Sequence, residues 1–127
     1  MTLRILVVDD EYEIRRALRR FLESHGHSVY EALSGEMALR ILEEEDIDVM
    51  LLDLRLGPQS AFDGWDVLRH KIASEKASRV PTIVISGLSL NEARDPEPRL
   101  PASHVFLSKP LDLAMLLRIL ASIAQRA

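Results

Sequence analysis

Five short strand patterns, three of them apolar runs, alternate with amphipathic helix patterns along the 127 residues of the chain. Several of these runs are apolar throughout, which is typical of parallel strands that are buried on both faces of a sheet. The predicted strands cover residues 3–8, 28–32, 49–52, 82–85 and 105–107. Because helix patterns separate the strands, the sequence predicts a doubly wound α/β fold, with a five-stranded parallel sheet and helices on both of its faces.

The helix patterns cover residues 11–25, 35–45, 64–74 and 111–125. Gly26 ends the first pattern, and Ser34 and Asp63 stand at the N-cap positions of the next two. The last pattern has a core stripe with Leu113, Leu116, Leu117, Leu120 and Ala124, and an opposite apolar stripe with Leu111, Met115 and Ile119. A second apolar stripe often marks an interface, so this face is predicted to form a homodimer or to bind a partner.

The composition indicates one soluble domain that spans residues 1–127. Hydrophobic residues make up 47% of the chain, enough for a core, but no apolar run is long enough to cross a membrane. The net charge of -4 argues against a nucleic-acid surface, and the lack of cysteine suits the cytoplasm. Four arginines of the first helix pattern are interpreted as a solvated face, with partner docking as the second interpretation: Arg15, Arg16, Arg19 and Arg20.

Polar residues follow the predicted strands, at the end where a doubly wound sheet binds its ligands. Asp9 and Asp10 come after the first strand, and Asp53 comes after the third. Ser86 and Lys109 follow the fourth and fifth strands. Because the carboxyl ends of parallel strands share one edge of the sheet, we expect carboxylates, a hydroxyl group and an amine to meet there.

The acids at this edge have two interpretations. Acids close to Asp53 repel it unless a cation lies between them, and such hard oxygen ligands suit Mg²⁺, which often bridges to phosphate. Asp10 is equally consistent with a helix N-cap that forms a capping box with Glu13. Lys109 and Ser86 suit a phosphoryl group on Asp53, although each of them taken singly is an ordinary residue after a strand.

As a set, these residues resemble the receiver domain of response regulators in two-component systems. The resemblance covers essentially the whole chain, and its motifs are Asp9 and Asp10 after LRILVV, Asp53 in LLDLRL, Asp63 with Gly64, Ser86 in TIVISG, and Lys109 with Pro110 in VFLSKP. It implies a flavodoxin-like fold with the strand order 2-1-3-4-5. It also implies a function, in which the domain accepts a phosphoryl group from a histidine kinase or a histidine phosphotransferase and switches a protein-interaction surface.

The resemblance implies a role for each site residue, and no enzymatic activity beyond the domain's own phosphorylation and dephosphorylation. Asp53 is the implied phosphoacceptor. The implied Mg²⁺ ligands are Asp10, Asp53, Asp9 through water, and the backbone carbonyl of Arg55. Lys109, Ser86 and Phe106 are the implied catalytic and switch residues, and the bond between Lys109 and Pro110 is implied to be cis.

Two segments depart from the family pattern. The loop after Asp53 is longer than usual, with GPQSAF in place of a short proline turn. Pro96, Pro98 and Pro101 prevent a regular fourth helix, which is therefore predicted to be short or irregular and confined to about residues 89–94. Altered output elements keep an alternative open, namely a degenerate receiver that binds a protein partner constitutively without phosphorylation.

Two other classes of protein fit the sequence less well. A flavodoxin-like cofactor binder needs hydrogen-bond donors after the first strand, but the acidic stretch DDEYE stands there and repels phosphate. A phosphatase with an aspartyl nucleophile needs a second acid two residues after that nucleophile. Arg55 occupies this position.

Overall fold

The computed structural model describes residues 2–54, 56, 63–86, 105–108 and 111–126, with the backbone alone at residues 86, 106, 108 and 126. The strands in these ranges are β1 (Arg4–Val8), β2 (Ser28–Ala32), β3 (Val49–Asp53), β4 (Thr82–Ser86) and β5 (Val105–Ser108). The helices are α1 (Tyr12–Ser24), α2 (Gly35–Glu44), α3 (Gly64–Ala73), α4 (Glu75–Ser78) and α5 (Leu113–Arg126). The longer loop at 57–62, the short helix expected at 89–94 and the prolines at 96, 98 and 101 lie outside the described residues.

The strands form one parallel sheet in the order β2-β1-β3-β4-β5, which confirms the order implied by the family resemblance. β1 pairs with β2 on one side and with β3 on the other. The chain thus places β2 on one side of β1, and then crosses over to place β3, β4 and β5 on the other side. The topological switch point lies between β1 and β3, and ligands of doubly wound sheets bind beyond the carboxyl ends of the strands at such a point.

Alternate residues of β1 bury their side chains on opposite faces of the sheet, because the side-chain period of a strand is two. Leu6 and Val8 belong to a hydrophobic cluster with residues of α2 and α3, whereas Ile5 and Val7 belong to a second cluster with residues of α1 and α5. The central strands are apolar throughout for this reason. Helices cover both faces of the sheet, so the predicted doubly wound architecture is confirmed.

Side-chain caps fix where several helices begin. The Ser34 hydroxyl accepts a hydrogen bond from the Met37 amide at 3.2 Å at the start of α2. Asp63 and Asp66 form a reciprocal capping box at the start of α3. Gly26, after α1, has a φ angle of +89°, a conformation that costs glycine little and other residues more. The sequence prediction was correct for these three boundaries.

The start of α5 differs from the prediction by two residues. Asp112 accepts a hydrogen bond from the Met115 amide at 3.1 Å, as an N-cap side chain does. α5 therefore begins at Leu113 rather than at residue 111. None of the helices in the described ranges, α5 included, has both the length and the apolar character that crossing a membrane requires.

The prediction for the two stripes of α5 is partly wrong. Three members of the predicted core stripe are buried, namely Leu116, Leu120 and Ala124, whereas Leu117 is only partly buried. Leu113 was placed in the core, but it is 41% exposed because it lies at the very first position of the helix, at the margin of the packed region. In the opposite stripe only Met115 is exposed, at 41%, whereas Leu111 and Ile119 pack partly buried against the core.

The arginine-rich side of α1 is not the solvated face that the sequence pattern predicted. Arg20 is exposed, but Arg16 and Arg19 are only partly exposed and Arg15 is buried. The reason is Glu31 on β2, whose carboxylate forms ion pairs with Arg15, Arg16 and Arg19. A charged side chain can be buried when another element supplies its counter-charge, and helix periodicity does not reveal such a partner.

Candidate functional site

Three carboxylates meet at the carboxyl ends of β1 and β3. Val8 of β1 lies beside Leu52 of β3 in the parallel register, so the residues that follow them, Asp9 and Asp53, are neighbours as well. One carboxylate oxygen from each of Asp9, Asp10 and Asp53 lies within 4.8 Å of the other two. We call these three residues the acidic cluster, and it lies at the topological switch point.

The acidic cluster is largely shielded from water. Asp9 is 4% exposed and Asp53 is 5% exposed, while Asp10 is partly buried. Negative charges this close repel one another more strongly where water is excluded, and a divalent cation between them removes that repulsion. An all-oxygen ligand set that leaves coordination positions for water is what Mg²⁺ prefers in proteins. The residues present therefore fit Mg²⁺.

Asp10 belongs to this cluster and does not cap α1. The N-cap residue of α1 is Glu11, and no side chain accepts a capping hydrogen bond there. Of the two interpretations of Asp10, the capping box with Glu13 is therefore wrong. Asp9 takes the local role instead, because its Oδ1 accepts a hydrogen bond from the Glu11 amide at 2.8 Å. The carboxylate of Asp10 stays with the acidic cluster.

Gly64 brings the start of α3 into contact with the backbone that follows Asp53. Its amide donates a hydrogen bond to the Leu54 carbonyl at 2.9 Å. A Cβ atom added to Gly64 would lie 2.5 Å from the Leu54 Cα and 2.8 Å from the Asp53 carbonyl oxygen. Only a residue without a side chain allows this approach, which explains why glycine follows the capping residue Asp63 here.

We expect Gly64→Ala to lower the free energy of unfolding by about 2 kcal/mol, because the cost of the overlap exceeds the gain in helix propensity. The three atoms nearest to the new methyl group all belong to the backbone, so a side-chain rotation cannot relieve the overlap. Urea denaturation followed by circular dichroism measures the change. Stability equal to that of the parent would contradict this account of the close approach.

The other predicted site residues are described only in part. Ser86 is the last residue of β4 and Phe106 lies within β5. Because Asp53 pairs with Ile85, the backbone of Ser86 lies at the same edge of the sheet as the acidic cluster. Arg55, Lys109 and Pro110 lie outside the described residues, and the side chains of Ser86 and Phe106 are not described.

Sequence reasoning missed one residue beside the acidic cluster, Arg15. Its guanidinium donates a hydrogen bond from Nη1 to the backbone carbonyl of Asp9 at 2.8 Å. The sequence did contain a signal for this contact, because Glu31 is an acid inside a predicted strand and needs a cation when it is partly buried. The pairing of Glu31 with Arg15 depends on how α1 packs on β2, which the pattern alone does not give.

An apolar groove lies beside Asp9, between α1 and α5. Its volume is about 320 Å³, and the described residues that line it are Asp9, Ile14, Ala17, Leu18, Ile85, Leu111 and Leu113. Nearly all of this lining is aliphatic. The groove therefore offers a surface for apolar side chains of another protein directly next to the acidic cluster.

The sequence matches the family model for the response regulator receiver domain over residues 5–121. Among solved structures, a response regulator receiver protein from Pseudomonas putida is 34% identical, with a TM-score of 0.82, and the match covers 96% of this chain and 98% of that one. The receiver domain of the sensor histidine kinase PA1611 from Pseudomonas aeruginosa PAO1 is 30% identical, with a TM-score of 0.83 and coverage of 98% and 99%. That structure has a magnesium ion coordinated in its active site cleft.

Curated relatives that match the chain are considerably longer than it is. The sensory/regulatory protein RpfC of Xanthomonas campestris pv. campestris is 29% identical over 97% of this chain. The chain spans only 17% of the length of RpfC.

Proposed function

Because the chain belongs to the response regulator receiver domain family, we propose that it accepts a phosphoryl group on Asp53 from a histidine kinase or a histidine phosphotransferase. The observation that carries this proposal is the position of Asp53, buried at the end of β3 within the acidic cluster. Receiver domains are phosphoacceptor modules of two-component signalling and not classical enzymes. The chemistry we propose is limited to the domain's own phosphorylation and dephosphorylation, in the cytoplasm.

Mg²⁺ is the cofactor in this proposal. Asp10 and Asp53 would bind the ion directly, Asp9 would bind it through water, and the backbone carbonyl of Arg55 would complete the protein ligands. The bound ion supplies positive charge that neutralises the phosphoryl oxygens. The close approach of the three carboxylates supports this site, as does the magnesium ion in the cleft of the PA1611 receiver domain.

The reacting group is the carboxylate of Asp53. One of its oxygens attacks the phosphorus of a phosphohistidine in line with the phosphorus–nitrogen bond, which breaks as the new oxygen–phosphorus bond forms. The ring, which carries a proton on its other nitrogen, leaves as a neutral imidazole, and Asp53 carries an acyl phosphate. Water later hydrolyses this acyl phosphate, which releases inorganic phosphate, returns the carboxylate and ends the signal.

Three further residues are proposed to respond to the phosphoryl group. Lys109 would hold its ammonium group against the phosphoryl oxygens, with a cis bond to Pro110. Ser86 would donate a hydrogen bond to one of these oxygens, and Phe106 would change rotamer as Ser86 moves. The register of β4 and β5, in which Val84 lies beside Phe106, supports the coupling of the last two residues through adjacent strands.

We propose that the phosphodonor protein docks at the apolar groove between α1 and α5. The groove includes Asp9 in its lining, so a protein bound there would bring its histidine to the acidic cluster. The downstream target of the phosphorylated domain would be a protein that recognises the changed surface.

Met115, an exposed apolar residue of α5, supports a homodimer through this helix. We expect sedimentation velocity to show a dimer in the presence of beryllofluoride and Mg²⁺, and Met115→Glu to prevent it, because burying a carboxylate at an apolar contact is unfavourable. Ala121→Glu is the matched control, since Ala121 is exposed on another side of α5. A parent protein that remains monomeric both with and without beryllofluoride would contradict the dimer.

Labelling with acetyl phosphate, with and without Mg²⁺, tests the proposed function. We expect one phosphoryl group per chain in Mg²⁺ and none in EDTA, because the cation is needed to neutralise the phosphoryl oxygens next to the acids. A degenerate receiver that binds partners constitutively would take no label in either condition. Absence of label on a folded protein would therefore overturn the proposal in favour of that alternative.

A further inference from the structure

We propose that Arg15 is a positioning residue for the acidic cluster, which holds the backbone at Asp9 so that the carboxylates of Asp9 and Asp10 face Asp53. This inference rests on the proposed Mg²⁺ site. It concerns a residue of α1 that lies six positions after Asp9 and is not one of the proposed metal ligands.

The guanidinium of Arg15 connects two separate parts of the fold. Its Nη1 donates a hydrogen bond to the Asp9 carbonyl at 2.8 Å, and its Nε donates one to Glu31 Oε1 on β2 at 3.2 Å. Arg15 is only 8% exposed, so water does not compete for these hydrogen bonds. A planar guanidinium with donors in fixed directions is suited to holding two acceptors at a set geometry.

Asp9 lies just past the end of β1, where the regular pairing of strands ends. Its amide still donates a hydrogen bond to the Ala32 carbonyl, at 3.2 Å, and its Oδ1 accepts one from the Glu11 amide at 2.8 Å. The bond from Arg15 holds the remaining backbone polar group, the carbonyl of Asp9. The peptide that joins Asp9 to Asp10 contains this carbonyl, so its orientation bears on both acids.

Glu31 fixes the guanidinium in turn. Its carboxylate accepts hydrogen bonds from Arg15 at 3.2 Å, from Arg16 at 3.3 Å and from Arg19 at 2.7 Å. Burial raises the pKa of the Glu31 carboxyl group, but the hydrogen bonds from Arg19 and Arg15 outweigh burial and leave this pKa below its ordinary value. Glu31 is therefore ionised at neutral pH and keeps Arg15 in its bridging position.

If Arg15 is removed, a positioning role and a role in charge neutralisation alone predict opposite changes in the affinity for Mg²⁺. If Arg15 acted only through its positive charge, its removal would leave the acidic cluster more negative, and Mg²⁺ would bind more tightly. If Arg15 holds the backbone, its removal lets the carboxylates spread, and Mg²⁺ binds more weakly. Removing a residue that orients metal ligands typically lowers metal affinity by about 10- to 100-fold.

Isothermal titration calorimetry with MgCl₂ on the folded protein separates these cases. We expect Arg15→Met to weaken Mg²⁺ binding about tenfold, and Arg15→Lys to weaken it by a smaller factor, because one ammonium group does not reproduce both hydrogen bonds. Arg19→Met is the matched control, since Arg19 also pairs with Glu31 but makes no hydrogen bond to Asp9. We expect its affinity to stay within about twofold of the parent.

Glu31→Gln provides a second route if Arg15→Met does not fold. It leaves Arg15 in place but removes the charge that orients it, so we expect weaker Mg²⁺ binding in the same direction. Tighter binding in Arg15→Met, or parent affinity in both Arg15 variants, would overturn the positioning role while leaving the metal site intact. A parent protein that binds no Mg²⁺ would overturn the proposed site and this inference together.

Discussion

Asp53→Asn is expected to abolish phosphorylation by acetyl phosphate, with no label above background in Mg²⁺. The amide has nearly the shape of the carboxylate, so the fold is retained, but it is a poor nucleophile and cannot form an acyl phosphate. Intact-mass spectrometry of the parent and the variant measures the effect directly. Asp53 ends β3, which lies between β1 and β4, whereas Asp9 and Asp10 follow β1. Because they lie at a different strand end, the other two acids of the cluster are expected not to substitute for Asp53.

Asp46→Asn is the matched control for Asp53→Asn. Asp46 has an exposed side chain, 82% accessible, and pairs at the surface with Arg4 and Lys76, away from the acidic cluster. We expect this variant to take label as the parent does. Label on Asp53→Asn equal to that of the parent would show that the phosphoacceptor is another residue, and peptide mapping would then identify it.

Asp10→Asn is expected to stabilise the metal-free protein and to remove its response to Mg²⁺. The substitution relieves the repulsion of carboxylates that lie within 4.8 Å of one another. After allowance for solvent screening at a partly buried site, we expect a gain of about 1 kcal/mol in EDTA. In the parent, Mg²⁺ at 100 times its Kd adds about 2.7 kcal/mol to the free energy of unfolding. The variant is expected to lose nearly all of that addition.

Thermal denaturation in EDTA and in MgCl₂ measures both effects of Asp10→Asn. Glu13→Gln is the control, because Glu13 is an exposed acid close by in sequence that belongs to α1 and not to the acidic cluster. We expect Glu13→Gln to keep the full shift of the melting temperature in Mg²⁺. A full shift in Asp10→Asn as well would show that Asp10 is not a ligand.

The strands and the position of the three carboxylates could be predicted from the sequence. The strands depend on local apolar patterns, and the position of the carboxylates depends on the rule that parallel strands end at one edge of the sheet. An apolar run such as Val49–Leu52 needs burial on both faces, and parallel strands provide it. Once the strands are parallel, their carboxyl ends share one edge, and Asp9, Asp10 and Asp53 must approach one another there. No knowledge of side-chain contacts was needed for this step. The family resemblance then supplied the strand order, which the register of the sheet confirms.

The short helix α4 and the stripes of α5 were harder to predict, for a physical reason that they share. α4 has only four residues, too few for a periodic pattern. Its N-cap is Ser74, but serine is also common in loops, so this residue does not by itself indicate a helix. Hydrophobic periodicity shows which side of α5 is the most apolar, but it does not show where along the helix the contact with the sheet ends. Leu113 consequently counts as a core residue on the helical wheel, although the first buried residue of α5 is Leu116, one turn later.

By itself the sequence determined the fold class, the edge of the sheet that carries the site and the carboxylates that meet there, because hydrophobic period and strand polarity are local properties. Tertiary packing decided which charged residues are buried. Arg15 is buried because its guanidinium pairs with Glu31 on β2, and it also donates a hydrogen bond to the Asp9 carbonyl. Burial of Lys71 on the inner side of α3 lowers the pKa of its amine to about 8. Both outcomes depend on distant elements that pack around the charge, since burial and counter-charges come from neighbours that are remote in sequence.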